Sequence, residues 1–198
     1  MVITNEMMKK KLEGYSNKNN KISREMAKGN LVKIKNGLYE TNPNVSGYVL
    51  ASSVYGPSYL SFEFALYYYG LISEQVDTYT CATFGKKKKK KFDTFFGTYT
   101  YRDVPESAYS IGVHKVKEKK YVYYIASMEK ALCDELYTLK PIRSMTEIER
   151  LILVDLQIDV ENLRRLNLKD VKEISDVYHA TNVSMLYKFL KKIQKENV

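Results

Sequence analysis

Polar and apolar positions change their period four times along this chain of 198 residues. The first stretch, "TNEMMKKKLEGY", runs at helical spacing with Thr4 or Asn5 as its cap. A second helical stretch follows in "NKNNKISREMAKG". Here Ile22 and Met26 make an apolar stripe at i, i+4, while Lys21, Arg24 and Lys28 make a basic one at i, i+3, i+7. Asn20 suits the start of this helix, and Gly29 with Asn30 suits its end. The period then falls to two. Leu31, Val32 and Ile34 give strand character, Asn36-Gly37 favours a two-residue hairpin turn, and Leu38-Tyr39 returns. Simple alternation puts Lys33 and Lys35 on one face of that hairpin, with Asn36 at its tip.

Beyond residue 42 the pattern predicts a helix in "PSYLSFEFALYYYGLIS", capped by Ser61, with Glu63 in its first turn and Gly70 at its end. Four short segments rich in Tyr and β-branched residues follow, at 76–84, 97–104, 109–116 and 120–127. Their alternation predicts one antiparallel sheet. Residues 127–139 read as a capped helix, Ser144 and Glu147 form a capping box before the next, and further helices run to the end. The last carries Val183, Leu186, Leu190 and Ile193 at helical spacing, to pack on its own domain. The expected fold class is α+β. Residues 1–42 form a winged helix-turn-helix module, and residues 43–198 form a mixed domain with an antiparallel sheet and packed helices.

Charge sharpens this division. The net charge is +9, and the excess falls in two places. Residues 1–40 carry a net +5 and residues 84–120 a net +7, whereas 121–198 balance. Such confinement is the electrostatic footprint of a polyanion-binding surface. In a winged helix-turn-helix the second helix enters the major groove while surrounding cations hold phosphates. Lys21, Ser23, Arg24 and Lys28 fall on that helix, and Lys33, Lys35 and Asn36 on the wing. Arg24 is the candidate for base contact, since a guanidinium engages guanine bidentately. The second excess centres on Lys86, Lys87, Lys88, Lys89, Lys90 and Lys91. It reads as a solvated loop that doubles as an auxiliary, sequence-independent contact to nucleic acid.

The remaining chemistry is mostly exclusion. Cys81 and Cys133 stand far apart and in no metal spacing, which fits core thiols in a reducing cytoplasm. His114 and His179 belong to no ligand cluster, and no nucleotide-loop or nucleophile-elbow motif occurs. No catalytic residue, metal or cofactor is expected. The opening "MVITNEMMKKKL" lacks the apolar core of a secretory leader. The weakly charged stretch from 41 to 73 is broken by Gly56-Pro57, serines and Glu63, so no membrane span is expected. Among 18 tyrosines, Tyr99 and Tyr101 in "TYTYR" leave open a second reading, a sheet on which single-stranded nucleic acid or RNA stacks.

Four blocks in order carry a resemblance to a known family. "NNKISREMAKGNLVKIKNGLYE", "GPSYLSFEFALYYYGLISEQVDTYTCAT", "KKFDTFFGTYTYRDV" and "IASMEKALCDELY" resemble the AbiEi antitoxins of type IV toxin–antitoxin systems, over about residues 10–140. The chain departs from the family in its short first module and in "SMEKAL", where a proline form is usual. The resemblance implies a repressor that binds inverted repeats of double-stranded DNA in its own promoter. It also implies an antitoxin against a nucleotidyltransferase-like toxin, acting without need of a stable complex. Two-fold repeats suit a homodimer on DNA. A stand-alone winged-helix regulator with no toxin is the remaining alternative.

Overall fold

The computed structural model describes residues 1–195. The last three residues of the second expected domain lie outside the described residues. The chain opens with β1 (Val2–Thr4), α1 (Asn5–Lys11), α2 (Lys18–Ala27), β2 (Val32–Lys35) and β3 (Leu38–Glu40). The three strands form an antiparallel sheet in the order β1-β3-β2. Thr4 caps α1 by accepting the Met7 N–H at 3.3 Å. One face of the sheet and the two helices enclose Ile3, Met8, Leu12, Ile22 and Leu31, with Tyr39 packed alongside. The other face turns Ile34 and Leu38 into the main core of the molecule. A module this small buries little apolar surface of its own, and its sheet is stabilised from both sides.

The body starts with a 3-10 turn, Gly47–Leu50, then α3 (Ala51–Val54), β4 (Tyr59–Leu60), α4 (Phe62–Tyr68), β5 (Thr78–Thr83), β6 (Lys90–Thr94) and β7 (Gly97–Asp103). After these come β8 (Val113–Glu118), β9 (Tyr121–Ala126), α5 (Met128–Tyr137), α6 (Met145–Arg150), α7 (Val160–Arg164), α8 (Leu168–Tyr178) and α9 (Thr181–Lys195). The whole is α+β. Its six-stranded sheet, however, is mixed, in the order β6-β7-β5-β4-β9-β8, with β4–β9 and β5–β7 parallel. This corrects the antiparallel expectation. After β5 the chain crosses to the sheet edge, forms β6, and returns as β7 in the slot between, which sets β7 parallel to β5. The two-residue β4, hidden in the predicted helix of 57–73, then joins the two halves of the sheet.

The tyrosines of β7 point inward. Tyr99 and Tyr101 are wholly buried, and their hydroxyls donate to the carbonyls of Gly47 at 2.8 Å and Ala51 at 2.7 Å. Each phenol thereby satisfies a buried polar tip while its ring fills the core. The backbone at Gly47 approaches so closely that an added Cβ would meet the Phe96 carbonyl oxygen at 2.2 Å. No base can stack on Tyr99 or Tyr101, which removes this ring pair from the single-strand reading.

Ser61 stands at the N-terminus of α4 but does not cap it. Its hydroxyl donates instead to Asp134, at 2.5 Å. Thr80 of β5 takes over, accepting the Phe64 N–H at 3.0 Å and donating to the Ser61 carbonyl at 2.6 Å. Two other expected caps are in place, at Ser127 and Ser144. Ser127 accepts the Lys130 N–H at 3.2 Å, and Ser144 accepts the Glu147 N–H at 3.1 Å. Val183, Leu186, Leu190 and Ile193 of α9 all join the main core.

Candidate nucleic-acid interface

The helix α2 begins one turn earlier than Asn20 would set it. Asn17 is the cap, its side chain accepting the Asn20 N–H at 3.0 Å. At the other end Gly29 takes a left-handed φ of 74°. The Asn30 N–H then reaches the Glu25 carbonyl and the Gly29 N–H the Met26 carbonyl, each at 3.0 Å. These are the paired bonds of a Schellman stop. Between the caps, Ile22 faces the small core, while Met26 stays exposed and so leaves the stripe predicted for it.

Ser23, Arg24 and Lys28 project outward and are exposed. Lys21 is drawn back. It pairs with Glu25 at 3.0 Å and lies 5.6 Å from the Tyr15 ring centre. The hydrogen bond and charge of Glu25 raise its pKa. Glu25 itself is held below the usual carboxylate range by the hydrogen bond from Asn30, at 2.8 Å, and by Lys21. The single acid of α2 is therefore already matched, and its outward face presents cations and a hydroxyl.

The β2–β3 hairpin, the expected wing, departs from simple alternation. A bulge between Lys33 and Lys35 pairs them with the consecutive residues Tyr39 and Leu38, which face opposite sides of the sheet. Lys33 lies on the helix-bearing side and is exposed, as is Asn36 at the turn. Lys35 turns to the body, donates to the Val54 carbonyl and sits 5.5 Å from the Phe92 ring centre. The two lysines do not share a face.

The six-lysine run is part connection and part strand. The Lys86 ammonium lies 3.4 Å from the Gly56 carbonyl and 5.3 Å from the Tyr55 ring centre. Lys87 has φ of 58°, and its N–H donates to Asp103 at 2.6 Å. Lys87, Lys88 and Lys89 are exposed. Lys90 and Lys91 open the edge strand β6, where charged side chains oppose pairing with a further strand. The opposite edge, β8, carries Lys115 and Lys117 in the same office. His114 is an exposed β8 residue and His179 an exposed left-handed cap of α8.

Two groupings were invisible in the sequence. Lys130 and Asp134, both wholly buried, pair at 2.8 Å on α5. Tyr59 donates to the same carboxylate at 2.9 Å, Tyr178 adds a second phenol, and the Lys130 ammonium lies 2.6 Å from the Tyr178 hydroxyl. Burial and the Asp134 charge push both phenols well above their ordinary pKa. The i, i+4 spacing was the only signal, and it ordinarily marks a surface pair. The second grouping borders a cleft of about 700 Å³ whose lining includes Glu63, Thr80, Thr100 and Arg102. Arg102 bonds Glu63, lies 3.9 Å above the Phe62 ring and stands 3.5 Å from Glu135. Burial and the neighbouring Glu63 push the Glu135 carboxyl up to about 7, against the pull of Arg102. Cys81 and Cys133 are free, buried thiols pushed up by desolvation, and neither is poised as a nucleophile.

Among the described residues no cluster of three or more His, Cys, Asp or Glu is arranged to hold a metal ion, and no helix is long and apolar enough to cross a membrane. In comparisons with known proteins, no family model matches the chain and no curated protein matches it significantly.

Proposed function

We propose that this chain is a DNA-binding autorepressor and antitoxin of a type IV toxin–antitoxin system, its first 42 residues acting as a winged helix-turn-helix. The observation that carries the reading is the outer face of α2. Ser23, Arg24 and Lys28 stand exposed there, Glu25 is neutralised from within the helix, and the exposed Lys33 and Asn36 of the wing lie on the same module. Arg24 reads a base edge and Lys28 and Lys33 hold phosphates. Lys21 stiffens the helix through Glu25, and Lys35 ties the wing to the body. The DNA partner is an inverted repeat in the protein's own promoter, read by two copies. The body supports antitoxin activity against a nucleotidyltransferase-like toxin, as the ordered sequence blocks suggest. The setting is the cytoplasm.

Fluorescence anisotropy on the protein's upstream DNA and on a scrambled duplex tests the reading. Arg24→Ala with Lys28→Ala is expected to lower affinity for the upstream duplex about 10-fold or more and to erase its preference over the scrambled one. Unchanged affinity and unchanged promoter repression would sink it.

A further inference from the structure

The wing and the lysine run lie far apart in sequence, yet one joint gathers them. Lys35 and Lys86 bond carbonyls only two residues apart, those of Val54 and Gly56. Between them the Phe92 and Tyr55 rings stand 5.7 Å apart, each with one of these ammonium groups near its face. Cation and ring attract one another in this arrangement, so the run is tethered beside the wing at its first lysine. Lys35 and Lys86 are used up by the joint. Lys33 of the small module and Lys87, Lys88 and Lys89 of the body are left exposed, with Lys89 also lining the cleft beside Glu63 and Arg102.

An open groove of about 560 Å³ runs between the two parts, lined by Lys33, Lys35, Asn36, Phe92, Asp93 and Phe95. Its walls are β2 and β6, each the edge strand of its own sheet. Its one acid, Asp93, is held by Thr98 at 2.8 Å and Lys91 at 3.4 Å, and these contacts lower its pKa. The Phe95 ring at the rim is 68% exposed, more than any other large apolar residue of the described chain.

We infer that this groove and the lysines beside it take the phosphate backbone of duplex DNA flanking the segment read by α2. The inference rests on the DNA reading above and extends the footprint from the small module onto the edge of the body. Charge complementarity chooses the occupant. The exposed groups are ammonium ions spread along an open surface, which suits the repeated charge of a duplex backbone and carries no sequence information. A strand added to β6 is disfavoured, because charges flank both of its ends. Sequence is read by α2, and length of DNA is sensed by the run.

The test compares wild type with Lys87→Gln/Lys88→Gln/Lys89→Gln on two duplexes of the upstream DNA. One covers only the segment protected by α2, and the other extends about one helical turn to each side. On the long duplex the variant's log–log salt slope should be shallower by roughly 2 to 3 units, so its deficit shrinks about 40-fold between roughly 50 and 200 mM salt. On the short duplex the two proteins should bind alike, and preference over scrambled DNA should survive in both. If wild type prefers the upstream duplex but the variant keeps the full slope on the long one, this inference falls and the repressor reading stands. If wild type binds no duplex, or shows no preference, the reading beneath it falls as well. Thermal melts of both proteins confirm that the variant is folded.

Discussion

The small module and the body treat positive charge in opposite ways. In residues 1–40 every lysine and arginine keeps contact with solvent, and five buried apolar residues make the separate core. The body encloses Lys130 completely, against a carboxylate and two phenols. A buried pair survives only when its remaining donors and acceptors are matched, because desolvation otherwise exceeds the attraction. The body has enough surrounding side chains to supply those matches from β4, α4 and α8. The module encloses one charge, Glu40, which Tyr121 of the body helps to match at 2.8 Å, and leaves its cations outside. The difference is one of surroundings: a cation is enclosed only where several elements supply its partners.

The strongest way to break this comparison is to unpair the buried charges. Asp134→Ala strands the Lys130 ammonium with a phenol oxygen, and should cost about 3–5 kcal/mol. The midpoint of thermal unfolding should fall by on the order of 10 °C. Lys130→Met should cost less, since the hydroxyls of Ser61, Tyr59 and Tyr178 still donate to the carboxylate. The double variant Lys130→Met/Asp134→Leu should recover a good part of the loss. If it melts as low as Asp134→Ala, shape and not charge is what this site requires.

How much of this was legible beforehand follows the range over which each feature is decided. The period of "TYTCAT" and "YVYYIA" sufficed for β5 and β9, because alternation is local. The two residues of β4 were not, since Tyr59 and Leu60 run straight into the α4 pattern. The lysines at 90 and 91 masked β6 for a related reason: an edge strand carries charge where an inner one carries apolar residues. Parallel pairing of β5 with β7 depends on which slot the returning chain takes, and no residue states that. At the candidate interface, helical spacing was enough to place Arg24 and Lys28 outside, but not to show that Lys21 of the same stripe folds back to Glu25. It could not show the bulge that turns Lys35 inward, and it set the cap at Asn20 where Asn17 holds it. Lys130 and Asp134 had the right spacing, but their burial is set by Tyr178, far along the chain.

Acidity gives a smaller effect of opposite sign. Glu135 titrates near 7 in the folded protein, above its value in the unfolded chain. Between the two values the native state binds the extra proton, so stability is lost as pH rises from about 4.5 through about 7 and is flat beyond. Glu135→Gln keeps the shape and removes the titration. It should stabilise the protein by on the order of 2 kcal/mol at pH 8 and change little near pH 4.5. Urea melts at both pH values check this. A variant equally stable or less stable at pH 8 would mean that the Arg102 contact outweighs the burial of the carboxylate.

The module should answer to a gentler change. Asn17→Ala removes the side chain that accepts the Asn20 N–H, and a lost cap costs about 1 kcal/mol. In a body with a large core such a loss disappears into the whole. In a module whose own core has five buried apolar residues it should appear locally, as a roughly 5-fold faster hydrogen exchange of the α2 amides. Amides of β5 and β7 should keep their rates. Equal acceleration in both regions would show that the module opens only with the body, through the sheet that places Ile34 and Leu38 in the shared core. The joint at Lys35 would then be a rigid coupling between the module and the body.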